Sequence, residues 1–160
     1  MKRRSQPSRL VIGIGNPLRG DDGVGALLAE QAAVFTAADP AGPVAVRSLQ
    51  QLTPELAEEL AQLDAVLFID AWLAPLGAVP QLQPLSPLGQ ASDGASAGSH
   101  RLEPAALLAL SQALYGRAPA AHGLLVPGHV FEHGTALSTE LQAALPQARA
   151  LLRQWLSGDA

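Results

Sequence analysis

The chain of 160 residues contains no cysteine, which removes disulfides, thiolate metal ligands and thiol nucleophiles together and fits a reducing compartment. Lysine is almost as scarce, with Lys2 its single instance. Only 15% of residues are charged and the net charge is −4, so there is no basic field to attract a polyphosphate backbone. Nucleic acid is excluded as a partner on that ground. No segment approaches the roughly 20 apolar residues that cross a bilayer, so no membrane span is expected. The basic start Lys2-Arg3-Arg4 raises the question of a secretory signal, but the apolar run that follows, 10–14, is short and leads into Asn16, Arg19 and two aspartates. Residues 1–8 therefore read as a basic tail before a strand, and the expected location is the cytoplasm. The length fits one domain over 1–160. Weak acidity and the lack of a long exposed apolar stripe suit a monomer.

What is present is an alternation of two periods. Residues 9–15 (RLVIGIG) form a continuous apolar run ending in glycine, as a fully buried parallel strand does. Over 23–35, Val24, Leu27, Leu28, Ala32 and Phe35 fall on one helical face. A second strand is expected at 44–48. Thr53-Pro54-Glu55 then looks like a helix start, with the helix running to about 62. Residues 65–70 (AVLFID) read as a buried strand that stops on an acid, whereas 79–85 carries two prolines and is at best an edge strand. Residues 86–101 are rich in Ser, Gly and Ala and are expected to be a flexible functional loop. A helix over 104–115 stops at Gly116, a short strand follows at 123–127, and a last helix begins at Ser138 or Thr139 and runs to about 156, with a bend at Pro146. The pattern predicts an α/β fold, a three-layer α/β/α sandwich around a mainly parallel sheet of about five strands.

In such sheets ligands bind beyond the carboxyl ends of the strands, and two acidic spots are expected there, Asp21/Asp22 and Asp70. Phosphate chemistry does not explain them. Gly13-Ile14-Gly15 begins a dinucleotide fingerprint, but Leu18 stands where the third glycine belongs. Gly15 and Gly20 have Walker A spacing, yet Asp21 and Asp22 replace its cation and hydroxyl and would repel phosphate from the helix start. A receiver domain also pairs acids after strand 1 with an Asp ending strand 3, but it needs a lysine from the last strand, which is absent here. Gly94-Ala95-Ser96-Ala97-Gly98 matches the serine-hydrolase elbow in letters only, because it lies inside the Gly/Ser-rich loop without a strand before it.

A cation explains the acids better. Two carboxylates at adjacent strand ends form a hard, doubly negative oxygen site that is costly to desolvate unless a cation sits between them. Of the four histidines, His100 is best placed to join them, because its loop follows the sheet element next after Asp70. His122, His129 and His133 flank the last strand and read as surface or hydrogen-bonding residues. Two carboxylates and an imidazole leave coordination positions open, as catalytic sites do, and would suit zinc, nickel or iron. One acid of the 21/22 pair is expected to cap the following helix.

These residues resemble the hydrogenase maturation endopeptidases, which trim the C-terminal extension from the large-subunit precursor of nickel-iron hydrogenases. Residues 13–25 (GIGNPLRGDDGVG) are similar to that family's opening motif, Phe68-Ile69-Asp70-Ala71 to its second, and Ser99-His100 with the following Leu107 to Leu110 and Leu114-Tyr115-Gly116 to its third. Phe131-Glu132, Gly134 and Leu137-Ser138 resemble its closing segment. The resemblance implies that Asp22, Asp70 and His100 are the metal-binding and catalytic trio, which leaves Asp21 as the helix cap beside the working Asp22, and that the metal is nickel already held by the substrate, with no organic cofactor. The alternative from another class is a metal- or metallo-subunit-binding chaperone that recognises the loaded precursor without cutting it. Where many members carry a glycine-containing stretch, this chain reads Ser48-Leu49-Gln50-Gln51-Leu52 and looks more like the branch serving bidirectional, NAD-linked hydrogenases. Gln50 and Gln51 are accordingly expected to help select the substrate.

Overall fold

A computed structural model describes residues 8–87 and 101–158. Strand β1 (Arg9–Ile14) is apolar after Arg9 because both of its faces are covered. Its alternate residues divide between two cores. Val11 joins Leu67, Ile69, Leu124 and Val126 under helices α1 (Val24–Phe35) and α4 (Thr139–Leu156). Leu10, Ile12 and Ile14 join Val66 and Phe68 on the opposite face, against α2 (Leu56–Leu60) and α3 (Pro104–Tyr115). Period-two strands buried on both sides produce the three layers anticipated from the sequence.

The sheet has five strands in the order β2-β1-β3-β5-β4, adding β2 (Ala45–Leu49), β3 (Ala65–Leu73), β4 (Gln81–Leu85) and β5 (Ala120–Gly128). All pairings are parallel except that of β4, an antiparallel edge strand on which Pro84 lies opposite His122. An edge is where a strand proline is tolerated. Receiver-type domains of the doubly wound class use the parallel order 2-1-3-4-5, so the interposed β5 and reversed β4 separate this chain from that reading.

Helix ends show where local signals hold and where they yield. α3 begins at Pro104 and ends before Gly116, whose φ of 77° is the left-handed stop that glycine permits. Ser138 caps α4, its hydroxyl accepting from the Leu141 amide at 3.1 Å, and that helix continues through Pro146. α2 is shorter than the expected 53–62: the backbone carbonyls of Thr53 and Pro54 take the first-turn amides of Leu56 and Ala57, and no side-chain cap forms.

The glycines of the opening motif set how closely α1 lies on the sheet. A Cβ at Gly13 would run into the Gly25 carbonyl oxygen, and one at Gly25 would meet the Ile14 carbonyl and stand 2.7 Å from the Ile69 carbonyl. Helix backbone thus rests directly on β1 and β3. Gly25→Ala forces backbone apart where no flexible side chain can yield, and a loss of about 3 kcal/mol is expected in urea denaturation.

Candidate active site

The sheet order reverses direction between β1 and β3, the switch point at which doubly wound folds open a crevice beyond their strand ends. β1 stops at Ile14 while β3 continues to Leu73, and the last β1–β3 pair is Gly13 with Ile69. Asp70 therefore comes just past the last pair, level with Ile14, the final residue of β1. By alternation it shares the side of Val66 and Phe68, toward α3.

The loop after β1 folds around its own backbone. Gly15 has φ of 130°, and a Cβ there would meet the Asp22 carbonyl oxygen. Asn16 accepts the Leu18 amide on its side chain at 2.9 Å, and Asp22 accepts the Asn16 amide on Oδ2 at 2.8 Å. A 3-10 turn (Gly20–Gly23) then leads into α1. This closed loop holds Asp22, half-buried, at the switch point.

Asp21 does not cap a helix, contrary to expectation. The start of α1 receives no side-chain hydrogen bond, and Asp21 is fully buried. Its Oδ2 accepts the amides of His129 and Val130 at 2.7 and 3.1 Å and the Ser138 hydroxyl at 2.7 Å, and its Oδ1 accepts the Ser138 amide at 2.7 Å. Burial alone would raise its pKa, but the donors from Ser138, His129 and Val130 outweigh burial and hold it below the usual carboxylate value. Asp21 is the clasp that ties the β5–α4 connection to the loop carrying Asp22.

Asp70 is the opposite case. Its Oδ1 is buried and has no hydrogen-bond partner among the described residues, and its Oδ2 meets an Arg101 guanidinium nitrogen only at 3.4 Å. Burial drives its pKa up from 3.8 to about 7; Arg101 and the Ala71 amide pull it down, while the negative charges of Asp22 and Glu103 push it up. The charge of Asp22 acts on Asp70, in keeping with their places at the ends of adjacent strands. A buried carboxylate oxygen that no described donor satisfies is unusual in a native protein.

An open cleft of about 320 Å³ adjoins Asp22, lined by Asn16, Arg19, Asp22, Gln50, Gln51 and Arg101. Both glutamines expected to contact substrate thus stand beside Asp22. A larger cleft of about 440 Å³ lies at the opposite end of the strands, beside Arg9 at the start of β1 and Leu156, and no described carboxylate lines it. Among the described residues, no three His, Asp or Glu side chains gather as a metal-binding group. The third predicted member, His100, lies outside the described residues, as do 88–99 of the loop. His122 and His129 are half-buried and His133 is exposed. Sequence reasoning missed Arg19, Arg101 and the role of Asp21. Adjacency to Asp22 and to His100 was the available signal for all three.

Fold and site together define a doubly wound α/β protein with a carboxylate pair at its switch point. No family model and no curated protein matches the sequence. Solved structures do. The chain is similar to the [NiFe] hydrogenase maturation protease HybD from Thermococcus kodakarensis, at 18% identity over 92% of this chain and 98% of that one, with a TM-score of 0.66. It is similar to HycI, a [NiFe] hydrogenase maturation protease from Thermococcus kodakarensis KOD1, at 22% identity over 96% and 93% of the two chains, with a TM-score of 0.63. The hydrogenase maturating endopeptidase HybD from E. coli matches at 18% identity over 95% and 93%, with a TM-score of 0.69. The fold is that of the hydrogenase maturation proteases.

Proposed function

We propose that this chain is an endopeptidase that removes the C-terminal extension of a nickel-iron hydrogenase large-subunit precursor, recognising nickel already bound in that substrate. The observation that carries the reading is the orphaned Asp70 Oδ1 beside Asp22, at the switch point of a fold shared with named maturation proteases. Hard carboxylate oxygens suit a divalent cation, and a set of two carboxylates and one imidazole leaves positions open for the ligands of a metal delivered by the substrate. Asp22, Asp70 and His100 would engage the nickel. His100 directly precedes Arg101, whose side chain reaches Asp70. Nickel supplies positive charge near the scissile peptide, and the protein supplies the anchoring that holds the two together. Hydrolysis adds water across the peptide C–N bond, with hydroxide going to the carbonyl carbon and the proton to the leaving amine. The enzyme would act as a cytoplasmic monomer; no described helix is long and apolar enough to cross a membrane.

The test is to mix purified protein with nickel-loaded and nickel-free forms of candidate precursors and follow intact mass. Loss of the extension is expected only from a loaded form, and Asp22→Ala, Asp70→Ala or His100→Ala should each reduce the rate on the order of a thousandfold. Cleavage that survives all three substitutions would refute the assignment. Binding without cleavage by the unmodified protein would favour a chaperone.

A further inference from the structure

Asn16 is the chain's single asparagine, and it lines the cleft next to Asp22. Its backbone amide donates to Asp22 Oδ2 at 2.8 Å, which ties the two residues together. Its side-chain oxygen accepts the Leu18 amide at 2.9 Å, and that contact orients the carboxamide: the oxygen faces the loop and Nδ2 faces away from it. Nδ2 has no hydrogen-bond partner among the described residues, yet it is not a buried unsatisfied atom, so it opens toward the cleft that Asn16 lines. The loop has no other neutral donor to offer. Between Gly15 and Asp22 every backbone N–H already donates to a carbonyl or side-chain oxygen, and residue 17 is a proline without one. Gln50 and Gln51 line the same cleft, but both are exposed and neither is held in place by a hydrogen bond. Asn16 is half-buried and held at two points.

We infer that Asn16 is a further catalytic residue, its Nδ2 donating a hydrogen bond to the carbonyl oxygen of the scissile peptide as that oxygen becomes negative. The inference rests on the endopeptidase reading. When hydroxide from water bonds to the carbonyl carbon, the C=O π pair moves onto oxygen and a tetrahedral oxyanion forms. When the C–N bond breaks, that pair re-forms the carbonyl, and the amine leaves with the remaining proton of the water. Asn16 exchanges no proton and no electrons in either step; it stabilises the oxyanion as a fixed dipole, and its pinned oxygen keeps reorganisation small. A carboxamide suits the part because it is neutral and adds no charge beside the cation.

The competing role is purely architectural, since a side-chain oxygen that takes the amide two residues on makes a turn by itself. Two variants separate the roles. Asn16→Asp keeps the acceptor for Leu18 and loses the donor, whereas Asn16→Ser keeps a weaker acceptor and retains a hydroxyl that donates. With nickel-loaded precursor, a donor role predicts that Asn16→Asp lowers kcat about a hundredfold with KM within about threefold, and that Asn16→Ser lowers kcat less. An architectural role predicts the reverse order, with Asn16→Asp close to the unmodified protein. A second measurement needs no substrate. Isotope labelling confined to asparagine gives one side-chain amide pair by NMR, and both of its protons should exchange freely with water in the unbound protein. Protection of either proton would show that Nδ2 is already engaged, and it overturns the role. Cleavage by Asn16→Asp as fast as by the unmodified protein, or faster than by Asn16→Ser, also overturns it and leaves the endopeptidase reading standing. An unmodified protein that cleaves no loaded precursor overturns that reading and the role of Asn16 with it.

Discussion

Asp70→Asn is expected to make the protein more stable above pH 7 while abolishing precursor cleavage. The folded-state pKa of Asp70 is raised from 3.8 to about 7, chiefly by burial, so the native state holds this proton more tightly than the unfolded chain does. The sign follows from proton linkage. The benefit of the neutral form is complete below about pH 4 and is lost as pH rises toward 7, after which the ionised group remains a constant burden. At about 1.4 kcal/mol per pKa unit the full shift would amount to a few kcal/mol, and the 23% exposure of the side chain places the effect toward the lower end. Asparagine keeps the shape without the charge. Urea denaturation of both forms at pH 4, 6 and 8 should show coincident stabilities at pH 4 and a gap that opens by pH 8. Activity should move the other way, falling on the order of a thousandfold, because a neutral amide offers a cation no compensating charge. A variant both less stable at pH 8 and still active would contradict this view of the residue. The strain of keeping a charge there is the kind that active sites retain and stability alone would remove.

Asp21→Ala should be the most destabilising substitution in the opening motif, although Asp21 touches nothing that reacts. It would strand the part-buried amides of His129, Val130 and Ser138 and the Ser138 hydroxyl, four donors now satisfied by one carboxylate. Unsatisfied buried donors cost roughly 1–3 kcal/mol each, and partial relaxation brings the expected total to about 4 kcal/mol or more. Asp21→Asn keeps one acceptor oxygen and should lose about half as much. Hydrogen exchange gives the sharper reading. Protection should fall first at His129, Val130 and Ser138, ahead of the sheet. Because the pKa of Asp21 is lowered in the folded state, its contribution is present above its unfolded value near 4 and is lost as pH falls further. A stability change under 1 kcal/mol for Asp21→Ala would mean that the clasp is unimportant.

The contrast between neighbouring aspartates marks the limit of what the sequence makes legible. β1 and the first part of β3 were readable because strands buried on both faces leave continuous apolar runs, and α3 because Pro104 and Gly116 punctuate both ends. The last residues of β3, Ala71 to Leu73, were not, since they are strand only through pairing with Val126, Pro127 and Gly128. Asp21 looked like a cap because local position favours one, yet its partners lie 108 to 117 residues away, a separation that no local pattern encodes. Asp22 and Asp70 were found because apolar strands ending in acids are conspicuous and the doubly wound rule brings strand ends together. Arg101 escaped notice as one arginine after a polar stretch. Its contact with Asp70 emerges only once α3 is packed against the sheet.

The central claim is that Asp22 and Asp70 engage a nickel ion carried by the substrate. The most direct measurement is X-ray absorption at the nickel edge of a loaded precursor, recorded before and after addition of the protein under conditions too brief for cleavage. The account predicts added oxygen donors around nickel with the unmodified protein and none with an Asp22→Ala, Asp70→Ala double variant. A nickel spectrum that stays unchanged on complex formation, in a sample that nevertheless proceeds to cleavage, would contradict it.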